Sequence, residues 1–270
     1  MSQWLLAHHI DLQWWVWLGS FGLVAVWESF RPRRVPTTPT ASRWLSNVSL
    51  TGLSMLLATV CLPLAAITFA IVAEQKEWGL FNRLSLPLWL SCALAVLILD
   101  LSAYWVHRLF HTVPAFWRLH KVHHSELDVD CSTAVRHHPI EFLLVSGAIL
   151  LVIAAIGASP LAVLISVILG TVAAVFSHGN VATPRELDKI LRRIVVTPDM
   201  HRVHHSAAHR ESNHNFGNLF PLWDHLFSTY QAQPRAGHEN MEIGIAEIRT
   251  VEDVRLWKLL VLPFKGPGPH

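Results

Sequence analysis

The chain has 270 residues, of which 52% are hydrophobic and 15% charged, and its formal net charge is +2. An average soluble domain carries about 25% charged residues, so this composition excludes a disordered chain and a nucleic-acid-binding domain. Against the apolar background stand 18 histidines, fourteen of them between His107 and His225.

The expected fold is all-α: a polytopic bundle of membrane helices under a helical cap. Residues 12–27, 44–73, 84–99 and 142–176 contain no charged side chain. A helix that crosses a membrane needs about 20 mostly apolar residues. The first run extends to Phe30. The second is long enough for one tilted span, or for a span and a surface segment. The third continues past Asp100 to Val106. The fourth is broken by Gly157-Ala158-Ser159-Pro160, turn residues that predict a hairpin of 141–157 and 160–177, spanning or re-entrant. The N-terminus has no basic region and no small-residue cleavage site, so no removable signal peptide is expected. Cys61, Cys92 and Cys131 form neither a disulfide pattern nor a thiolate metal motif.

Basic residues set the expected orientation. Arg31, Arg33, Arg34 and Arg43 follow the first span, and Arg108, Arg118, Lys121 and Arg136 follow the third. Arg185, Lys189, Arg192 and Arg193 follow the hairpin. The loop between the second and third spans has only Lys76 and Arg83. This alternation puts the N-terminus outside and the histidine-dense segments and C-terminus in the cytoplasm. Trp14, Trp15, Trp27, Trp44, Trp78, Trp89 and Trp105 fall near expected span ends, where amphipathic rings favour the interface. Three regions result: membrane helices in 1–93, a histidine-rich region in 94–235, which the resemblance given below makes the catalytic one, and a tail in 236–270. In the tail, Thr250 is placed to cap a helix with Val254, Trp257, Leu260 and Val261 on one face, lying on the membrane or on the cap.

Three segments carry the chemistry: His107-Arg-Leu-Phe-His111, His120-Lys-Val-His123-His124 and His201-Arg-Val-His204-His205. Residues four apart share a helix face. His107 and His111 therefore aim at one point, as do His120 with His124 and His201 with His205. His123 and His204 are rotated about 100° from their neighbours, so one HxxHH helix can serve two metals. Eight imidazoles exceed the four ligands of a tetrahedral zinc and suit a dinuclear site. Imidazole accepts Zn, Cu, Fe and Ni alike. His138 and His178 flank the hairpin and return to the same face, as extra ligands or as groups that orient ligands. His209, His214 and His225 read as loop residues or supports, and His8, His9, His238 and His270 as solvated. Asp100 is an ionisable group in an apolar helix and so a functional candidate. It shares a stripe with Tyr104, His107 and His111. It lies about 10 Å from His107 along the helix, too far to bond it, but can orient a histidine elsewhere. Glu126, Asp128, Glu141 and Asp199 are weaker candidates for such support.

At these residues the chain resembles the fatty acid hydroxylase/sterol desaturase superfamily. The resemblance covers roughly 94–235 and runs through Asp100-x3-Tyr104-Trp105-x-His107-Arg108-x2-His111, His120-x2-His123-His124, Arg136-His137-His138-Pro139-x-Glu141, His178-x-Asn180, His201-x2-His204-His205, Asn215-Phe216-Gly217 and Trp223-Asp224-x-Leu226-Phe227. His225 and Ser228 stand where members often have Arg and Gly. The resemblance implies a cytoplasmic cap holding two non-haem irons on the eight histidines, and O2-dependent hydroxylation or desaturation of a lipid drawn from the bilayer. Zn can take the same site in purified protein. The 270 residues hold no cytochrome b5 domain, which implies a separate electron donor: a cytochrome b5-like protein, a ferredoxin or a reductase. A bacterial inner membrane is the expected location. The competing reading is a membrane metal-binding or transport protein without oxygenase activity. Transport needs polar groups deep in several spans, and Asp100 stands alone.

Overall fold

The computed structural model describes residues 2–62 and 64–265. His270 lies outside them. The described residues are helical, with isolated bridges and no strands. In chain order the long helices are α1 (Ser2–Ala7), α2 (His9–Phe30), α3 (Thr40–Cys61), α4 (Ala66–Gln75), α5 (Leu88–Thr112), α6 (Pro114–His124), α7 (Pro139–Ile156) and α8 (Pro160–His178). Short helices follow: α9 (Arg185–Leu191), α10 (Pro198–His204), α11 (His209–Ser212), α12 (Leu222–Leu226), α13 (Gly237–Asn240) and α14 (Leu256–Val261).

Local chemistry explains the boundaries. Proline occupies the first turn of α6, α7, α8 and α10, where its missing N–H would be unpaired anyway. The Ser159 and Thr197 side chains accept the N–H groups of Ala162 and Met200 and cap α8 and α10. Gly157 ends α7 in the left-handed region at φ 68°. Gly79 lies against it, and a Cβ there would sit 2.1 Å from the Gly157 nitrogen. This contact, with the Leu80 N–H on the Ala155 carbonyl, ties the α4–α5 loop to the hairpin turn.

Four stretches are long and apolar enough to cross a membrane: Thr40–Gln75, which holds α3 and α4, then α5, α7 and α8. The expected first span, α2, is not among them. Its 22 residues include His9, Asp11, Gln13 and Glu28 among apolar ones. Leu23, Val60, Trp89 and Leu151 point outward on these helices, as side chains facing lipid do. α8 is the central helix and packs on α2, α4, α5 and α10. Inside, small residues (Ala70, Ala95, Ala158, Ala162) let α4, α5, α7 and α8 approach closely around Leu99, Ile153 and Leu164.

The tail differs from the expected single helix. Thr250 forms a capping box with Asp253, but the chain turns extended at Arg255 and restarts as α14. Val254, Leu259 and Leu262 are buried against Leu50 and Val122, whereas Trp257 stays exposed. The break at Arg255 shifts the helical register, so the buried set is not the one a continuous helix would give.

Candidate metal centre

Nine imidazoles converge in two groups. The first contains His107 and His111 from α5, His120 and His124 from α6, and His204 from α10. The second contains His123 from α6, His178 at the end of α8, and His201 and His205 from α10 and its cap. Within each group the donor atoms lie within 4.8 Å of one another. The groups abut, since the His205 ring centroid is 4.7 Å from those of both His123 and His124. Each HxxHH segment serves both groups, because the residue at i+3 leaves the helix on a different side from those at i and i+4.

For five of the nine rings, outer hydrogen bonds fix which nitrogen faces inward. His107 Nδ1 donates to the Phe216 carbonyl at 2.9 Å, His123 Nδ1 to that of Arg136 at 3.2 Å, and His178 Nδ1 to that of Ala174 at 2.7 Å. His204 Nδ1 donates to the His214 carbonyl at 2.9 Å, and His120 Nδ1 to Glu141 Oε1 at 2.7 Å. A neutral ring that donates from Nδ1 keeps a bare lone pair on Nε2. Yet His107 and His120 bring their Nε2 atoms to 3.1 Å, and His123 and His178 to 3.2 Å. Those contacts set lone pair against lone pair. His204 Nε2 is buried with no partner. A cation in each group would satisfy all of these atoms, and an all-imidazole set suits Fe, Zn, Cu or Ni. Burial first, and then the neighbouring imidazoles, hold His123, His124, His201, His204 and His205 well below the usual histidine range. They are therefore neutral, as metal binding requires.

The remaining candidates sit at different places. His178 joins the second group, whereas His138 joins neither. Its Nδ1 accepts the Ile140 N–H at the start of α7, and its Nε2 is 3.3 Å from the Leu260 carbonyl. Asp100 touches no histidine. It accepts the N–H groups of Leu219 and Phe220 and the Trp223 indole. Tyr104 donates to Thr229 Oγ1 at 2.9 Å, and Thr229 donates to Asp224. Asp224 in turn accepts the N–H groups of Phe216 and Gly217. Asp100, Tyr104 and Asp224 thus clamp the loop whose Phe216 carbonyl orients His107. His238, expected to be solvated, is buried with its Nε2 3.6 Å from Asp199 Oδ2. The tail folds back on α10, a long-range contact without a local signal in the sequence.

Among the weaker candidates, Glu141 is the one at the centre. Its Oε1 also accepts from His137 Nδ1 at 2.9 Å, and the His137 ring stacks 4.7 Å from His123. The spacing of His137 and Glu141 at the start of a helix was the available signal. Asp128 accepts from Thr37 and Thr38, and Asp199 pairs with Arg202, both away from the imidazoles. The carbonyls of Phe216, Arg136, Ala174 and His214 left no signal, because every residue has one.

A cavity of about 240 Å³ opens beside both groups, between Val106, Phe110, Val145 and Ala174. A second, of about 140 Å³, lies among α5, α7 and α8. Ala103 and Asn218 line both, so the two are neighbours there.

The sequence profile of the fatty acid hydroxylase family matches residues 92–229. The chain belongs to the fatty acid hydroxylase family. Among its curated relatives is an ornithine lipid hydroxylase of Rhizobium tropici, 31% identical over 203 residues, covering 72% of this chain and 54% of the relative. The alkylglycerol monooxygenase of Homo sapiens is 29% identical over 195 residues, 66% of this chain and 39% of its own length. A methylsterol monooxygenase of Arabidopsis thaliana is 25% identical over 175 residues, 63% of this chain and 64% of its own. This family member thus spans about half the length of the first two relatives. No solved structure matches it.

Proposed function

We propose that the chain is a membrane-embedded, O2-dependent lipid oxygenase with a non-haem di-iron centre that hydroxylates or desaturates a sterol, fatty-acyl or related apolar substrate. The proposed ligands are His107, His111, His120, His124 and His204 for one iron, and His123, His201 and His205, with His178, for the other. The observation that carries this reading is the pairing of bare, convergent Nε2 atoms with an apolar chamber that runs between membrane helices. The family's relatives, named as lipid hydroxylases and monooxygenases, support it.

Iron at this centre would supply activation of O2 and removal of hydrogen from an unactivated C–H bond. The chain's own groups do the rest. The carbonyls of Phe216, Arg136, Ala174 and His214, with Glu141, keep a proton on each Nδ1 and the lone pair on Nε2. Val106, Phe110, Val145 and Ala174 exclude water from the reacting carbon. The cavity among α5, α7 and α8 takes the lipid tail. We place catalysis in 94–235 and the site and the C-terminal tail (236–270) on the cytoplasmic side, with electrons arriving from a separate protein.

Full-length protein purified in detergent and loaded with Fe(II) tests the reading. Two irons per chain and an O2-dependent product from a total lipid extract are expected. Metal transport in vesicles without any such product would overturn it.

A further inference from the structure

On the cap, Arg210, Arg235, His209 and His214 surround an open depression of about 490 Å³, with Asn213 and Gln231 between them. Arg210, Arg235 and His209 are exposed. Among the described residues neither guanidinium forms an ion pair; the paired arginines are elsewhere. Glu211, the carboxylate of α11, is buried and turned inward. It accepts from Ser206 Oγ at 2.6 Å and from the Arg235 N–H at 2.7 Å. The exposed face of the depression therefore carries two guanidinium groups outside any ion pair, with the Glu211 carboxylate beneath them held by neutral donors. Its floor is the His214 segment, whose carbonyl accepts from His204 Nδ1 at 2.9 Å. One peptide group and one hydrogen bond separate this basic surface from an imidazole of the first group. The α9 region also displays cations, Arg185 at its start and Arg193 just beyond its end, but neither bonds an imidazole of either group.

We propose that this face docks an acidic one-electron carrier protein, whose electrons enter through the His214 carbonyl and the His204 ring. The inference rests on the oxygenase reading above. Complementary charge would steer the carrier to the patch, and the hydrogen bond gives it a short route inward. Two encounters, each oxidising one carrier by one electron, supply two electrons. With two protons, one O2 and one C–H bond they yield one C–OH and one water.

The test uses full-length protein in neutral-lipid nanodiscs with a plant-type [2Fe–2S] ferredoxin as the acidic probe. Binding is measured first, with metal-free protein and oxidised ferredoxin, so that it does not depend on turnover. The expected result is binding that weakens as salt rises and falls at least about tenfold in the R210E/R235E variant, the lower end of typical steering effects. R210K/R235K should bind as the parent does, and R185E/R193E, at the start of α9 and just past its end, should not weaken binding. Turnover of the iron-loaded protein driven by dithionite should be equal in all variants, whereas ferredoxin-driven turnover should follow binding. Unchanged binding in R210E/R235E, or an equal loss in R185E/R193E, overturns the proposal. So does protection of residues 209–214 from hydrogen exchange in anionic nanodiscs without ferredoxin, which would mean that lipid headgroups cover the patch. Failure of the oxygenase reading is distinguishable, as dithionite would then give no O2-dependent product in the parent.

Discussion

At the scale of single residues, the proton held on Nδ1 of His107, His120, His123, His178 and His204 decides what those imidazoles can do. His124→Ala and His205→Ala should each lower bound metal, measured by elemental analysis after gel filtration, while His8→Ala, far from both groups, should not. His138→Ala should also retain metal, because His138 caps α7 rather than facing either group. Among the described residues Glu141 is the carboxylate that backs an imidazole of the two groups, so Glu141→Gln should weaken metal binding by about 10–100-fold in a chelator competition, the usual effect of losing such a partner. The buried histidines also set a pH dependence. Their folded-state values lie well below 6.5, so between those values and about 6.5 the unfolded chain binds more protons. The contribution of these histidines to the stability of the metal-free protein is therefore complete above about pH 7 and progressively lost as pH falls below about 6.5. Its Tm in detergent should be lower at pH 5 than at pH 7.5, and equal values would contradict this account.

At the scale of elements, the ligand-bearing segments are short and borrow their rigidity. α6 ends in the two histidines His123 and His124, and the Arg136 guanidinium grips that end. It donates to the Val122 carbonyl, Ser125 Oγ and Asn47 Oδ1 while lying 3.7 Å from Glu126. Arg43 reaches the same Glu126 and pairs with Asp130 at 2.6 Å. Breaking a buried pair costs about 3–5 kcal/mol because the partner charge is left uncompensated. Arg136→Ala should therefore lower Tm clearly and shed metal from both groups, since α6 feeds both. The HxxHH spacing made the division of each segment between two groups readable from helix geometry. The Gly157-Ala158-Ser159-Pro160 run was equally readable, as α7 ends and α8 begins there. The clamp on the 216–229 loop was not readable. Asp100 and Thr229 are 129 positions apart in the chain, and only packing makes them part of one network.

At the scale of the whole molecule, function depends on α5, α7 and α8 being both membrane helices and chamber walls. Ala103 lies between the two cavities and lines both. Ala103→Phe should leave metal content unchanged and block oxidation of long-chain lipids, read as loss of product from a lipid extract with a normal iron count. Equal turnover would move the tail path elsewhere. The opposite end of the bundle has its own constraint. Gly157→Ala places a side chain in the left-handed region, at a cost of about 1–2 kcal/mol. Its Cβ would also lie 2.5 Å from the Trp78 carbonyl. That variant should melt earlier while its metal content below the transition stays normal.

The sequence by itself determined the all-helical membrane class, the family and the histidine motifs, because these follow from local properties: uncharged runs, helix period and ligand spacing. Tertiary structure alone decided that His178 sits with the second group and His138 does not, although both flank the same hairpin. It alone turned Asp100 and Tyr104 toward the 216–229 loop, drew Glu141 in behind His120, and buried His238 under the tail. Each of these depends on which backbone carbonyl or side chain meets a ring from far along the chain. Those meetings are set by how α5, α6, α8 and α10 pack, and no residue's neighbours in sequence encode them.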